Sequence, residues 1–173
     1  MIALKRDEPG FASAIRTGST GAIAGLAGGG AEIGWIAIYQ HLSGGEAAAV
    51  ARGVTVPLFP TLGTATVAVP LGIAIHMGLA TLLGVAIAVL VRSQLPRSAP
   101  MVLEPLAVVG LLVGVWATNF FLVLPAINPA FVALTPDTTG LISKVLFGAA
   151  AALVLWFLDE PHPAAAWNWK GDR

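Results

Sequence analysis

The chain has 173 residues, of which 57% are hydrophobic and only 10% are charged, whereas soluble domains carry about 25% charged residues. Nine basic and nine acidic residues cancel, which argues against nucleic-acid binding because proteins of that class carry a basic surface. Cysteine is absent, which excludes disulfides, thiolate metal sites and cysteine nucleophiles.

Four apolar segments lie at about 17–41, 66–91, 101–124 and 141–158. Each is long enough to cross a bilayer, since a transmembrane helix takes about 20 apolar residues. Together they use most of the chain and leave no soluble domain. The sequence therefore predicts an all-α, polytopic integral membrane protein: a single four-helix transmembrane domain over residues 1–173.

The first segment also fits a second pattern. Lys5, Arg6 and Arg16 precede the stretch GAIAGLAGGGA, and basic residues before a small-residue apolar run are typical of a signal peptide. The apolar run continues to Tyr39, past the small-residue stretch. That continuation favours a membrane span.

Glycines of the first segment recur at helical spacing and predict close helix packing. Gly21, Gly25 and Gly28 fall on the same stripe as Glu32 at 3.6 residues per turn. Gly29 extends the spacing Gly-x-x-x-Gly-x-x-x-Gly, and small residues four apart let two backbones approach closely. Glu32 is therefore expected to point into the contact that these glycines make.

The two longer loops, at about 42–65 and 125–140, are more than polar linkers. The first contains EAAAVAR, which predicts a short interfacial helix, followed by VPLFP, whose prolines end it. The second reads LPAINPAFVALTPDTTG and has three prolines among apolar residues. We expect it to lie on the membrane surface or between helix ends, where protein or water satisfies its backbone.

One polar residue per segment falls in the half of the bundle nearest these loops: Glu32, His76, Asn119 and Lys144. Ionisable groups inside a membrane are costly and commonly functional, so the four form a candidate polar cluster. Structural roles are the alternatives. Glu32 could be a protonated carboxyl and His76 a hydrogen-bonded core histidine. Asn119 could form an interhelical hydrogen bond, and the side chain of Lys144 could reach the membrane surface.

The third segment has a second small-residue face. Gly110 and Gly114, with Ala117, share one side of the helix, and Asn119 is expected on roughly the opposite side at 100° per residue. Two distinctive faces on one helix of a small bundle predict packing on both sides. A four-helix protein buries only one side of each helix internally, so the face of Gly110 and Gly114 is predicted to meet another subunit or a second copy of the chain.

Orientation follows from the basic residues, which favour the cytoplasmic side. One side of the predicted bundle carries most of them: Lys5, Arg6, Arg16, Arg92, Arg97, Lys170 and Arg173. The opposite loops carry Arg52. Both termini are therefore expected to be cytoplasmic, in a multi-pass protein of the bacterial inner membrane.

No pattern in the sequence identifies an enzyme, and no catalytic residue, metal site or cofactor is predicted. His41, His76 and His162 lie at different depths, which does not suit paired haem ligands. Glu32 and His76 supply only two of the three or four ligands that most metal sites need. The sequence favours an accessory or structural subunit of a membrane complex, whose partners are the lipid bilayer and other subunits or further copies of the chain. The alternatives are a small transporter or channel that uses the Glu32–His76 pair for protons or cations, and a membrane enzyme or cofactor protein.

Overall fold

The computed structural model describes residues 11–96, 99–100 and 102–158. Within this part of the chain, four helices are long and apolar enough to cross a membrane, which confirms the four predicted segments. The helices and shorter elements are, in chain order, α1 (Phe11–Leu42), α2 (Ala47–Thr55), a 3-10 turn (Pro60–Leu62), α3 (Ala68–Gln94), α4 (Leu103–Thr118), a π-helical turn (Asn119–Val123), α5 (Leu124–Ile127), α6 (Pro129–Leu134) and α7 (Asp137–Leu158).

The fourth span begins four residues earlier than its apolar run. α7 starts at Asp137, whereas the sequence placed its start at 141. Pro136 ends the preceding segment, and an acid in the first turn is favoured by the positive end of the helix dipole. Asp137 Oδ1 also accepts a hydrogen bond from the backbone N–H of Thr138 at 3.0 Å. Polar residues of this first turn therefore belong to the helix, and Lys144 lies nearly two turns inside it.

The third span continues past Thr118 through a π-helical turn. The backbone N–H of Leu124 donates to the carbonyl of Asn119, five residues earlier. Pro125 explains this irregularity, because proline has no N–H to donate and its ring clashes with the carbonyl four residues before it. A wider turn relieves both conflicts. The span reaches Ile127 as a result.

α1 lies at the centre of the bundle. It packs on α3 along one side and on α7 along the other, and α7 in turn packs on α4. The order α3–α1–α7–α4 leaves α3 and α4 as the outer helices. They approach each other near Leu95 and Ala107, which pack against the shared core. The buried core runs through all four spans: Ala24, Ala80, Ile87, Ala88, Val91, Val108, Leu112, Phe147, Ala151 and Leu155.

Glycines bring α1 close to both neighbours. A Cβ atom built on Gly21 would lie 2.8 Å from Val85 Cα of α3, and one built on Gly25 would lie 2.8 Å from Thr81 Cα. On the other side, a Cβ at Gly28 would meet the Phe147 ring of α7 at 2.5 Å. The glycine stripe of α1 therefore lies against two helices, α3 and α7, rather than one.

The connections of one bundle end form a packed layer, here called the loop end, made of α2, the 3-10 turn, α5 and α6. The short helix expected in EAAAVAR is present as α2, which packs on α3 and α6. Thr55 is fully buried and donates to the Ala68 carbonyl at 2.6 Å. Asn128 donates to the Gly53 carbonyl at 3.0 Å, which joins the second loop to α2. Both loops are thus tucked against helix ends.

Candidate functional site

Glu32 lies inside the bundle with only 3% of its surface exposed. Its Oε1 accepts hydrogen bonds from Ser143 Oγ at 2.6 Å and from Lys144 Nζ at 2.5 Å, both on α7. An intramembrane charge is tolerated when it is paired inside the protein. The acid in the glycine stripe of α1 therefore has an opposite charge and a hydroxyl as partners on α7.

His76 approaches the same carboxylate from α3. Its Nε2 lies 3.6 Å from Glu32 Oε2, so the two side chains meet in the half of the bundle where the sequence placed both. Neither of these two atoms has a hydrogen-bond partner among the described residues. The His76 side chain is 26% exposed, so the ring lies at the edge of the site while Nε2 is buried.

Helix packing explains why these residues meet. Gly29 and Ala80 allow α1 and α3 to come close beside His76, because a Cβ on Gly29 would lie 2.7 Å from that of Ala80. Thr139, Ser143 and Phe147 follow at four-residue spacing on α7, and all three are buried. Four-residue spacing places them on one helix face. Ser143 and the neighbouring Lys144 are thereby directed at α1.

Lys144 pairs with Glu32, which differs from the structural alternative to a place in the polar cluster, a side chain that reaches the membrane surface. The sequence placed Lys144 near the start of the fourth segment, where its side chain could reach the membrane surface. In the structure its side chain is 18% exposed and bonds to Glu32. Ser143 was not singled out in the sequence at all. Its signal was the polar and small series Thr139, Gly140 and Ser143 along one face of an otherwise apolar helix.

Asn119 is not brought into this cluster. It lies in the π-helical turn after α4 and lines a surface groove of about 460 Å³ together with Gly110, Leu111, Gly114, Val115 and Thr118. α4 packs on α7, and α7 lies between α4 and α1. Equal depth along a helix does not determine which way a side chain faces. Asn119 also borders the same groove as Gly110 and Gly114, which corrects the expectation that it occupies a separate face.

Gly110 and Gly114 differ from the glycines of α1. Both are exposed, and a Cβ built on either would meet no heavy atom within 4 Å. Around them the groove continues toward the end of α3, where Leu90, Val91, Gln94 and Leu95 line a second depression of about 380 Å³ with Gly110. Within the described chain, these two glycines contact no other helix.

The charges of the site nearly cancel. Glu32 and Lys144 form one ion pair, and a neutral His76 adds nothing to the sum. Within residues 11–96, 99–100 and 102–158, no group of three His, Cys, Asp or Glu side chains is placed to hold a metal ion. The arrangement can join three helices and can bind or release a proton at its imidazole–carboxylate contact.

Comparison with protein-family models, with curated protein sequences and with solved structures finds no match to this chain. Several residues behind the predicted orientation lie outside the described residues: Lys5, Arg6, Arg97, Lys170 and Arg173. His162 lies outside them as well. The cytoplasmic location of the termini therefore stays a prediction.

Proposed function

We propose that this protein is a non-catalytic subunit of a larger complex in the bacterial inner membrane, with both termini in the cytoplasm. The observation that supports this proposal is the contrast between two sets of glycines. The backbone of α3 occupies the space beside Gly21 and Gly25, whereas the space beside Gly110 and Gly114 is open. A helix docked on this open face of α4 would gain close van der Waals contact.

The position of α4 supports the same proposal. It is an outer helix, and only 17% of the most apolar 18-residue stretch of its span, Leu103–Ile127, is buried, against 33% for the first span. A second helix packs on a flat glycine surface at least as well as lipid chains do. Two helices with small residues at their contact approach each other closely. The partner is a transmembrane helix of another subunit or, failing that, of a second copy.

Replacing the open glycines tests this proposal. A Cβ at Gly110 or Gly114 meets no heavy atom within 4 Å, so the leucine side chains of Gly110→Leu and Gly114→Leu can occupy the open groove, and folding should be retained while assembly is lost. Gly78→Leu is the matched control, because Gly78 of α3 also has no heavy atom within 4 Å of an added Cβ. Each variant is extracted gently from its native membrane, and the mass of the assembly is measured in nanodiscs.

The expected result is an assembled species for the wild type and for Gly78→Leu, and a free single chain for the two α4 variants. A wild-type chain that is monomeric under these conditions would contradict the proposal. So would an assembly of unchanged mass and yield in both α4 variants.

Transport of protons or small cations is a second candidate, favoured by the Glu32–His76 contact at 3.6 Å. The distribution of buried polar residues argues against it. Of the described residues that are buried and polar, Thr20 is the one toward the end opposite the loop end, and the others lie at Glu32 or nearer the loops. Proton flux into liposomes that is present in the wild type and abolished by Glu32→Gln would favour transport over a subunit role.

A further inference from the structure

The two carboxylate oxygens of Glu32 differ in the hydrogen bonds that they accept. Both donors of α7, Ser143 Oγ and Lys144 Nζ, converge on Oε1. The second oxygen, Oε2, is buried, faces His76 Nε2 at 3.6 Å, and has no hydrogen-bond partner among the described residues. A buried carboxylate oxygen without a donor is costly. The site therefore has room for one more donor, on the side of α3.

The imidazole of His76 is the group that can supply this donor. Nε2 and Glu32 Oε2 are both buried and both without a hydrogen-bond partner among the described residues. A neutral imidazole that carries its proton on Nδ1 presents Nε2 as an acceptor. Two acceptor atoms thus face each other across the contact, and one added proton satisfies both.

We propose that His76 and Glu32 form a binding site for a single proton, which Lys144 opposes. A hydronium ion at the loop end delivers the proton, which binds the lone pair of His76 Nε2, and a water molecule is left behind. The imidazolium then donates to Glu32 Oε2, and the site changes from neutral to singly positive. The inference concerns proton binding alone and holds whether or not the chain assembles with other subunits.

Proton binding would draw the His76 ring of α3 toward Glu32 of α1. A charge-assisted N–H···O bond is commonly about 2.7–2.9 Å long, shorter than the 3.6 Å observed here. The helices already touch beside this contact at Gly29 and Ala80, so the ring has to move rather than the backbones. The exposed edge of His76 gives it that freedom, and the site can act as a proton-dependent latch between α1 and α3.

The charged groups around His76 have defined and opposite effects. Glu32 on α1 lies beside the ring and favours the imidazolium, whereas Lys144, which bonds to the same carboxylate from α7, disfavours it. α2, which also packs on α3, carries Arg52. Arg52 pairs at 2.8 Å with Glu46, the largely exposed residue just before α2. Two substitutions at the site should therefore move His76 protonation in opposite directions, while the corresponding changes at α2 should not.

The test is the ratio of protonated to neutral His76, read from imidazole nitrogen chemical shifts of the full chain in nanodiscs over pH about 5 to about 8, where histidine usually titrates. The His76 signal is assigned by its loss in His76→Asn. Glu32→Gln should lower the ratio roughly tenfold to a hundredfold at fixed pH, the range that hydrogen bonds to charged groups commonly give. Lys144→Gln should raise it.

Glu46→Gln and Arg52→Gln are the matched controls, since they remove one negative and one positive charge at α2, as the site variants do at the cluster, and should alter the ratio less than either site variant. If Glu32→Gln does not fold, Lys144→Gln alone decides the matter. The proposal is overturned if both site variants titrate like the controls, if both move the ratio in the same direction, or if Lys144→Gln lowers it.

Discussion

Adding one methyl group at Gly25 should separate the two central helices. The Cβ of Gly25→Ala would lie 2.8 Å from Thr81 Cα and closer still to the carbonyl oxygen of Ala80. Both are backbone atoms of α3, so no side-chain rotation relieves the overlap. Ordinary contact begins at 3.4 Å, and α1 and α3 must therefore move apart by more than about 0.5 Å, a gap that forfeits a quarter or more of each contact's attraction.

Overpacking of this kind commonly costs about 1–3 kcal/mol. We expect a loss of about 3 kcal/mol for Gly25→Ala, at the upper end, because the obstructing atoms belong to the backbone and Gly21 and Gly84 of the same interface lose contact as well. The assay is reversible unfolding in mixed micelles of increasing dodecyl sulfate content, followed by helical circular dichroism.

Gly30→Ala provides the control on the same helix. Gly30 is exposed, and its added Cβ meets no heavy atom within 4 Å, so this variant should match the wild type or gain up to about 1 kcal/mol, since alanine is the better helix former. Equal stability of the two alanine variants would refute the close approach of α1 and α3 at Gly25.

Three further outcomes are expected. Lys144→Met should cost about 3–5 kcal/mol, because it leaves Glu32 as a buried charge without its ion-pair partner, and adding Glu32→Met should restore most of that loss; a double variant as unstable as the single one in the same unfolding assay would contradict the pairing. Thr55→Val should cost about 1 kcal/mol by removing the buried hydrogen bond to α3, and no loss would show that this bond contributes nothing. Cysteine introduced at Ser43 should react with an impermeant reagent from outside the cell and cysteine at Ser98 only from inside; the reverse pattern would invert the predicted orientation.

Structural features that depend on a continuous stretch of the chain could be predicted from the sequence. The four spans follow from the length of apolar stretches, since a bilayer sets how many residues a helix needs to cross it. The short α2 follows from EAAAVAR bounded by proline. The packing role of Gly21, Gly25 and Gly28 follows from their spacing, because residues three and four apart share a helix face. Each of these features depends on neighbours in the chain.

Only the tertiary structure decided which helices touch and which polar residues meet. In a membrane, apolar side chains face both lipid and other helices, so hydropathy does not mark the buried side of a span. The sequence therefore grouped Asn119 with Glu32 by depth, although α7 lies between their helices, and it overlooked Ser143. Lys144 pairs with Glu32 because glycines bring α1 against α7 and a four-residue series on α7 faces it. Depth is set along the chain, whereas direction around a helix is set by what packs against it.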